Sequence, residues 1–380
     1  MEIDILFDTP VSPNLKAGDA SAACAYPLTA LFADGTLACV YRQGATKHSH
    51  DGVLLLQTSA DQGVTWSQPQ TIFDGRHLQP TLTPETGGLC QTRTGTLVAV
   101  FCCVEGLPPD TYVFSEENED LPFHIFICRS ENRGQTWSAP MRLDSSPLTK
   151  AGITTRPFLA LDGSVKLPLE YRTERGPVAT AIFTSTDDGC TFADAATVAS
   201  DPKGRLNLCD ARFERLADGR LIGMLWTFLQ ESEETIEVHR VFSEDDGRTW
   251  SAPEPLGFVG QITAPLRLPS GALIAASNYR LSPEGIHLWY SPDAGRSWQT
   301  DTPLQMWDPS RQRIMASPID QDIAEQHSEG VWEALQHFTF GTPDLQYLGD
   351  DRILLTYYAT LDDIIHVRAC LFHLRISQTP

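Results

Sequence analysis

The sequence predicts an all-β fold, a six-bladed β-propeller of four-stranded antiparallel blades, and two interlocked repeats predict it. The first repeat is a short box of the form S-x-D-x-G-x-T-W, which begins at Ser59, Ser130, Ser185, Ser243 and Ser291 and ends at Trp66, Trp137, Phe192, Trp250 and Trp298. The second is a strand–turn–strand segment upstream of each box, with a sixth copy near the C-terminus, at 26–42, 88–103, 156–172, 210–226, 264–280 and 342–358. Boxes recurring at intervals of roughly fifty to seventy residues mark a repeat array, in which each unit buries its faces only against its neighbours.

The box residues have physical reasons to recur. The Asp side chain accepts backbone N–H bonds within the turn, the Gly takes a positive φ, and the aromatic anchors the turn in the sheet. Substitutions are mild: Asn132 stands for the Asp, Phe192 for the Trp and Ser297 for the Thr. Each upstream segment joins two apolar runs through a polar turn, usually D-G, T-G or S-G, which is a hairpin signature. A unit therefore reads as hairpin, loop, strand, box turn, strand, and a closed ring of such units hides its sheet edges. The whole chain, 1–380, reads as one propeller domain. Because the sixth unit lacks a box, the N-terminal segment 2–7 is expected to supply its outer strand.

Charge narrows the partners. With 28 basic against 49 acidic residues the net charge is −21, which repels nucleic acid and anionic membranes, and no basic run overcomes the repulsion. No window approaches the apolar length of a membrane span, and the first residues, MEIDILFDTPVSPNL, carry neither the basic nor the apolar part of an export signal. The expectation is a cytoplasmic protein whose nine cysteines are reduced core residues. No spacing declares a metal site, and no cofactor is expected.

The meander also sorts the two ends of the ring. If first strands start at the upper face, hairpin turns and boxes both lie below, so functional side chains belong to the starts of first strands, the ends of second strands and the loops after them. The first unit offers Arg42, Lys47, His48, His50 and Asp51; the second a long acidic loop, 105–121, as a wall. The third offers Arg156, Glu170, Tyr171 and Arg172, the fourth Asp210, Glu231, Glu233 and Glu234, and the fifth Gln261, Tyr279 and Arg280. The connection into the sixth adds Arg311, Arg313, His327 and Glu333. Arg42, Arg172 and Arg280 end equivalent strands and are expected to face one funnel, where guanidinium forks suit a carboxylate or sulfate. His48, Asp51, Asp210, Glu170 and Tyr171 are the candidates for proton transfer or nucleophilic work, with His50, Arg156 and Gln261 beside the arginines as binding candidates.

The boxes and their spacing make the chain similar to the sialidase superfamily, the BNR or Asp-box propellers, over nearly its whole length. The resemblance implies a glycosidase acting at the non-reducing end of a glycan. It matches His48, with Asp51 just beyond, to the family's acid/base position, and Asp210 to the Glu that polarises a tyrosine nucleophile. Departures are as informative: Ala25-Tyr26-Pro27 stands where the family has R-I-P, Trp226 where its second clamp Arg falls, and Thr342 near the nucleophile position. These argue against ordinary sialic acid hydrolysis. Because the fold hosts several chemistries, two alternatives stand beside the hydrolase. One is a uronate lyase in which His48 or Tyr171 takes a proton, and the other is a non-catalytic glycan-binding propeller.

Overall fold

The computed structural model describes residues 1–12, 15–19, 21–281, 283–309 and 338–376. Its box turns show why the motif recurs. In the first, Ser59 Oγ donates to Asp61 Oδ1 at 2.8 Å and accepts from the Gly63 amide at 2.8 Å. The Thr65 amide and hydroxyl close on the two Asp61 oxygens at 2.9 and 2.6 Å. The same bonds recur at Asp187, Asp245 and Asp293, while at Asn132 the side-chain amide donates to the Thr136 hydroxyl instead.

The box glycines do more than turn the chain. Gly189 has φ 78°, and a Cβ there would lie 2.5 Å from Val98 of the preceding unit; Gly134 meets Leu56 at 2.5 Å and Gly295 meets Ile222 at 2.6 Å in the same way. Each of these boxes is thus a close contact between neighbouring sheets as well as a turn.

Three sheets are simple four-stranded antiparallel meanders. They begin with the strands Leu82–Gln91, Leu206–Arg215 and Thr263–Arg267. In a fourth, Thr149–Gly152 and Phe158–Leu159 both pair with Val165–Arg172, so five strands occupy a four-strand path. The first strand breaks there at Thr155-Arg156-Pro157, where proline cannot donate to the ladder.

The fifth sheet corrects the expectation of six separate blades. It has eight strands, because the single parallel bridge Ala23–Ile365 joins the meander that starts at Ala23–Leu31 to the one that starts at Phe340–Gly349. The described residues therefore form four separate propeller blades and one eight-stranded sheet. Within that sheet Glu2–Pro10 runs antiparallel along Ile364–Arg375, from Glu2 opposite Arg375 to Pro10 opposite Arg368, so the two ends of the chain share one set of hydrogen bonds.

The core lies between the sheets. Val40, Leu54 and Leu56 of one unit pack with Leu97, Ala99 and Phe101 of the next, and Ile274 and Leu288 with Ile353, Leu355 and Tyr357. All nine cysteines are unpaired, and all but Cys190 are buried.

First strands carry the irregularities that build the site. Their ladders skip register between Ala25 and Leu28, Pro84 and Thr86, Cys209 and Arg212, and Gly341 and Asp344. A bulge re-aims the side chain it carries. Tyr26, Asp210 and Thr342, inside three of these bulges, have φ of 59°, 49° and 47°, a conformation that costs an L-residue energy and persists only where its surroundings enforce it.

Candidate functional site

The bulges direct two groups of ionisable side chains toward one mouth. The first is a relay. Tyr26 Oη lies 2.6 Å from His48 Nε2, and His48 Nδ1 lies 2.7 Å from Glu85 Oε2. Burial holds His48 below its ordinary pKa, with the Glu85 bond opposing, while burial and the neighbouring Tyr358 hold the Tyr26 phenol well above its own. A neutral imidazole beside a protonated phenol settles the network: the Tyr26 O–H donates to Nε2, and Nδ1–H donates to Glu85. Tyr26 is half-buried, whereas His48 and Glu85 are buried behind it.

The long loop of the second unit forms the wall around this relay. Its Tyr112 and Phe114 set their rings edge-on to His48, at 5.5 and 5.6 Å between centroids. Tyr358, the second strand's residue in the last unit, meets Tyr26 edge-on at 5.5 Å.

The second group is a pair of carboxyls. Glu170 Oε1 accepts the Thr154 hydroxyl at 2.7 Å and the Asp210 amide. Burial and the Asp210 charge push Glu170 up to about 8, and burial also raises Asp210, against the pull of Arg212. Two acids in one poorly hydrated place cannot both ionise readily, so the pair retains a proton at neutral pH. Arg280 links the two groups. Its Nη2 donates to Tyr358 Oη at 3.2 Å, and its charge also steadies the Asp210 carboxylate.

Below the mouth the ring narrows to a cavity of about 20 Å³ among Thr155, Arg156, Arg212 and Asp344. Asp344 holds Arg156 at 2.8 Å and accepts the Thr29 amide and hydroxyl. A roomier cleft of about 480 Å³ lies instead among hairpin-turn residues such as Pro269, Ser270 and Asp351, and holds none of the ionisable groups just described.

The expected cluster of three arginines is corrected. Arg42 is 1% exposed, with Nε on Pro84 O at 2.9 Å, Nη1 on Thr46 O at 2.7 Å and Nη2 on Ser49 O. Arg280, equally committed, donates to Phe340 O at 3.0 Å and Gln261 Oε1 at 2.7 Å. Arg42 binds the loop that carries His48, and Gln261 orients Arg280, so both expected substrate ligands act as scaffold. Arg172 is half-buried and donates to Gly176 O at 3.1 Å, within its own turn. Backbone carbonyls hold Arg42, one carbonyl with the Gln261 amide oxygen and the Tyr358 phenol holds Arg280, and Arg172 bonds a carbonyl of its own turn.

Other candidates part company as well. Asp51 accepts the Ala45 amide at 3.2 Å within the loop, and the His50 carbonyl accepts from Thr83 Oγ1 at 2.9 Å. Tyr171 follows Glu170 on the same strand, so it points to the opposite sheet face, where it packs beside an apolar cluster containing Leu143 and Ile153. Arg156 reaches the central ring but pairs with Asp344. Arg311, Arg313, His327 and Glu333 lie outside the described residues. Among the described residues no three His, Cys, Asp or Glu side chains gather as a metal cage.

Sequence reasoning brought together His48, Glu170 and Asp210 and missed Tyr26, Glu85, Thr154 and Tyr358 as members of the site. A register count carried part of the signal. Tyr26, Thr154 and Asp210 each stand nine residues before the turn glycine of their unit, Gly35, Gly163 and Gly219.

Antiparallel meanders arranged as blades, with ionisable groups gathered at one mouth, define a β-propeller. The profile of the BNR repeat-like domain matches residues 35–312, and the chain belongs to that family. Solved structures share the fold. A Dyadobacter fermentans protein of unknown function superposes with a TM-score of 0.73 at 17% identity, over 98% of this chain and 99% of that one. A Hadza microbial sialidase gives 0.68 at 15% over 96% and 68%, and a Penicillium chrysogenum α-L-arabinanase complexed with arabinobiose gives 0.68 at 13% over 97% and 98%. No curated protein sequence matches.

Proposed function

We propose that this protein is a glycoside hydrolase acting on a neutral sugar at the non-reducing end of a glycan. The observation that carries the reading is the Glu170–Asp210 pair, which keeps a proton at neutral pH beside a second ionisable group of different character. Environments that push two groups apart in this way are how an active site assigns acid and base. Glu170 donates its proton to the leaving oxygen, and the Asp210 carboxylate steadies the positive charge that develops on the sugar ring. In this reading the eight-stranded sheet counts as two blades, which gives six around one funnel, and the protein works in the cytoplasm.

Support for a neutral sugar comes from the arginines. A carboxylate-bearing substrate needs a charged clamp, and Arg42 and Arg280 are spent on carbonyls and on the Gln261 amide oxygen. The same shortage argues against a uronate lyase, whose acidified proton lies next to a carboxylate that must be neutralised. The solved neighbours include sialidases and an arabinanase, which lends the hydrolase class its analogy.

The test is a panel of aryl and alkyl glycosides of neutral, uronic and nonulosonic sugars. Cleavage confined to neutral sugars is expected, and Glu170→Gln should lower kcat by about 10² or more on the alkyl glycosides. Aryl glycosides, whose leaving groups need less protonation, should suffer less. No cleavage of any member, or an ultraviolet-absorbing unsaturated product from a uronate, would overturn the reading.

A further inference from the structure

We infer that the narrow ring below the mouth binds one monovalent anion of the size of chloride or bromide, with Arg212 as its chief partner. The inference goes beyond the hydrolase reading and does not depend on it.

Strand register brings the charges together. Arg156 and Arg212 each stand seven residues before the turn glycine of their unit, Gly163 and Gly219, and the same count leads from Gly95 back to Gly88 and from Gly271 back to Ala264. Asp344 stands seven before Asp351, which takes φ 56° in the turn of the last unit. Equivalent positions of first strands thus carry two guanidiniums and one carboxylate, with small residues between them. Gly88 has to be small, since a Cβ there would lie 2.7 Å from Arg156 Cβ.

Arg156 and Asp344 satisfy each other. Arg156 Nη1 donates to both Asp344 oxygens, at 2.9 and 2.8 Å, from the third unit to the last. The Thr29 amide and hydroxyl donate to the second of those oxygens at 2.8 and 2.7 Å, so the carboxylate has little left to offer a cation. Arg212 is different. It is 3% exposed, its Nη1 reaches only the carbonyls of Asp210 and Ala211 on its own strand, at 3.3 and 3.4 Å, and its Nε has no acceptor among the described residues. A buried charge without a close partner is costly, and an anion beside it removes much of that cost.

Charge and volume select the occupant. The acids that act on Arg212 are Asp210, Asp344 and Glu170; Arg156 acts on it as well, and Arg280 acts on Asp210. Because Glu170 and Asp210 keep a proton between them, three guanidiniums face two negative charges, and one anion closes the balance. The overall charge of −21 does not prevent this, because a cleft focuses a field set by its own walls. The cavity that Arg156, Arg212, Thr155 and Asp344 line is about 20 Å³, above the roughly 10–15 Å³ that a single water-sized occupant requires. Phe158 and Pro265 supply its apolar walls. A halide fits such a space, whereas sulfate or the carboxylate of a sugar ring does not, so this site is separate from substrate binding at the mouth.

The test uses bromide on the full chain. Crystals grown in potassium bromide should show an anomalous scattering peak inside the ring beside Arg212, and the peak should vanish in Arg212→Met, which keeps the length of the side chain without its charge. In solution, at constant ionic strength with potassium gluconate as the balancing salt, Tm should rise by about 2–4 °C for a hundredfold increase in bromide above its dissociation constant. Sulfate should give no such rise, and Arg212→Met should not respond to bromide. A ring without a peak overturns the inference, and this result needs only the wild type, so it stands even if Arg212→Met fails to fold. A peak that persists in Arg212→Met, or an equal rise of Tm in bromide, sulfate and gluconate, overturns it as well. So does a ring peak with no rise of Tm, which would mean binding at crystal concentration only. None of these readouts involves a glycoside, so their failure leaves the hydrolase reading standing.

Discussion

At the scale of single residues, the same side-chain type does opposite work according to what surrounds it. Asp61, in an exposed box turn, is held below the usual carboxylate range by the Thr65 hydroxyl and amide. Glu170, packed beside Asp210, is pushed up to about 8 by burial and by that neighbour. The sign of its effect on stability follows. Between the ordinary glutamate range and about 8 the folded chain keeps a proton that the unfolded chain has released, so this group's contribution falls as pH rises through that window. Glu170→Gln should therefore flatten the decline of Tm between the ordinary glutamate range and about 8, and a decline as steep as in the wild type across that window would show that another group causes it. Arg42 is a second case. Its expected role was substrate binding, yet a residue letter and a strand position do not say whether a loop will fold back over it. Gly44 and Gly52 allow that wrap, since a Cβ at Gly52 would lie 2.5 Å from the guanidinium. Arg42→Gln should cost about 2–4 kcal/mol of stability, because buried carbonyls lose charged donors, as read by denaturant unfolding. An unchanged midpoint would return Arg42 to the list of substrate ligands.

At the scale of elements, the box was fully legible in the sequence because its bonds close within eight residues, and local hydrogen bonding needs no knowledge of the rest of the fold. The bulges were not. A strand that skips one register looks like an ordinary strand in one dimension, so Glu85 and Thr154 fell outside the segments matched as repeats, and Tyr26 registered as a missing arginine rather than as a site residue. Strand alternation also separates Glu170 from Tyr171, which the pattern of residues alone had paired. The box glycines have an element-scale test. Gly189→Ala introduces a side chain at φ 78° and 2.5 Å from Val98, so it should cost about 1–3 kcal/mol through strain and overpacking between two sheets. The cost should fall in Gly189→Ala combined with Val98→Ala; a strictly additive pair would place the damage in the turn alone.

At the scale of the whole molecule, a ring must be closed, and here closure uses both chain ends. Glu2–Pro10 covers the edge of Ile364–Arg375, and Asp8 receives the Tyr357 hydroxyl at 2.8 Å and Arg368 Nε at 2.9 Å. Removing residues 2–10 uncovers that edge and leaves Arg368 without its carboxylate, so the melting temperature should drop and the unfolding transition should broaden; an unaltered transition would mean the ring holds without this strand. The sequence announced a closing strand, since one unit lacked a box, but the bridge that fuses two meanders into eight strands depends on a single residue pair that no repeat encodes. Closure matters for chemistry because Tyr26 and His48 come from one end of the chain, Tyr358 from the other, and Glu170 and Asp210 from the middle. The central claim, that this assembled mouth cleaves glycosidic bonds with Glu170 as proton donor, is tested most directly by the pH dependence of kcat/KM on a neutral alkyl glycoside. The account predicts that wild-type activity falls on the alkaline side near the raised value of about 8 and that Glu170→Gln abolishes that limb together with most of the rate. An alkaline limb that persists unchanged in Glu170→Gln, with the rate intact, would contradict it.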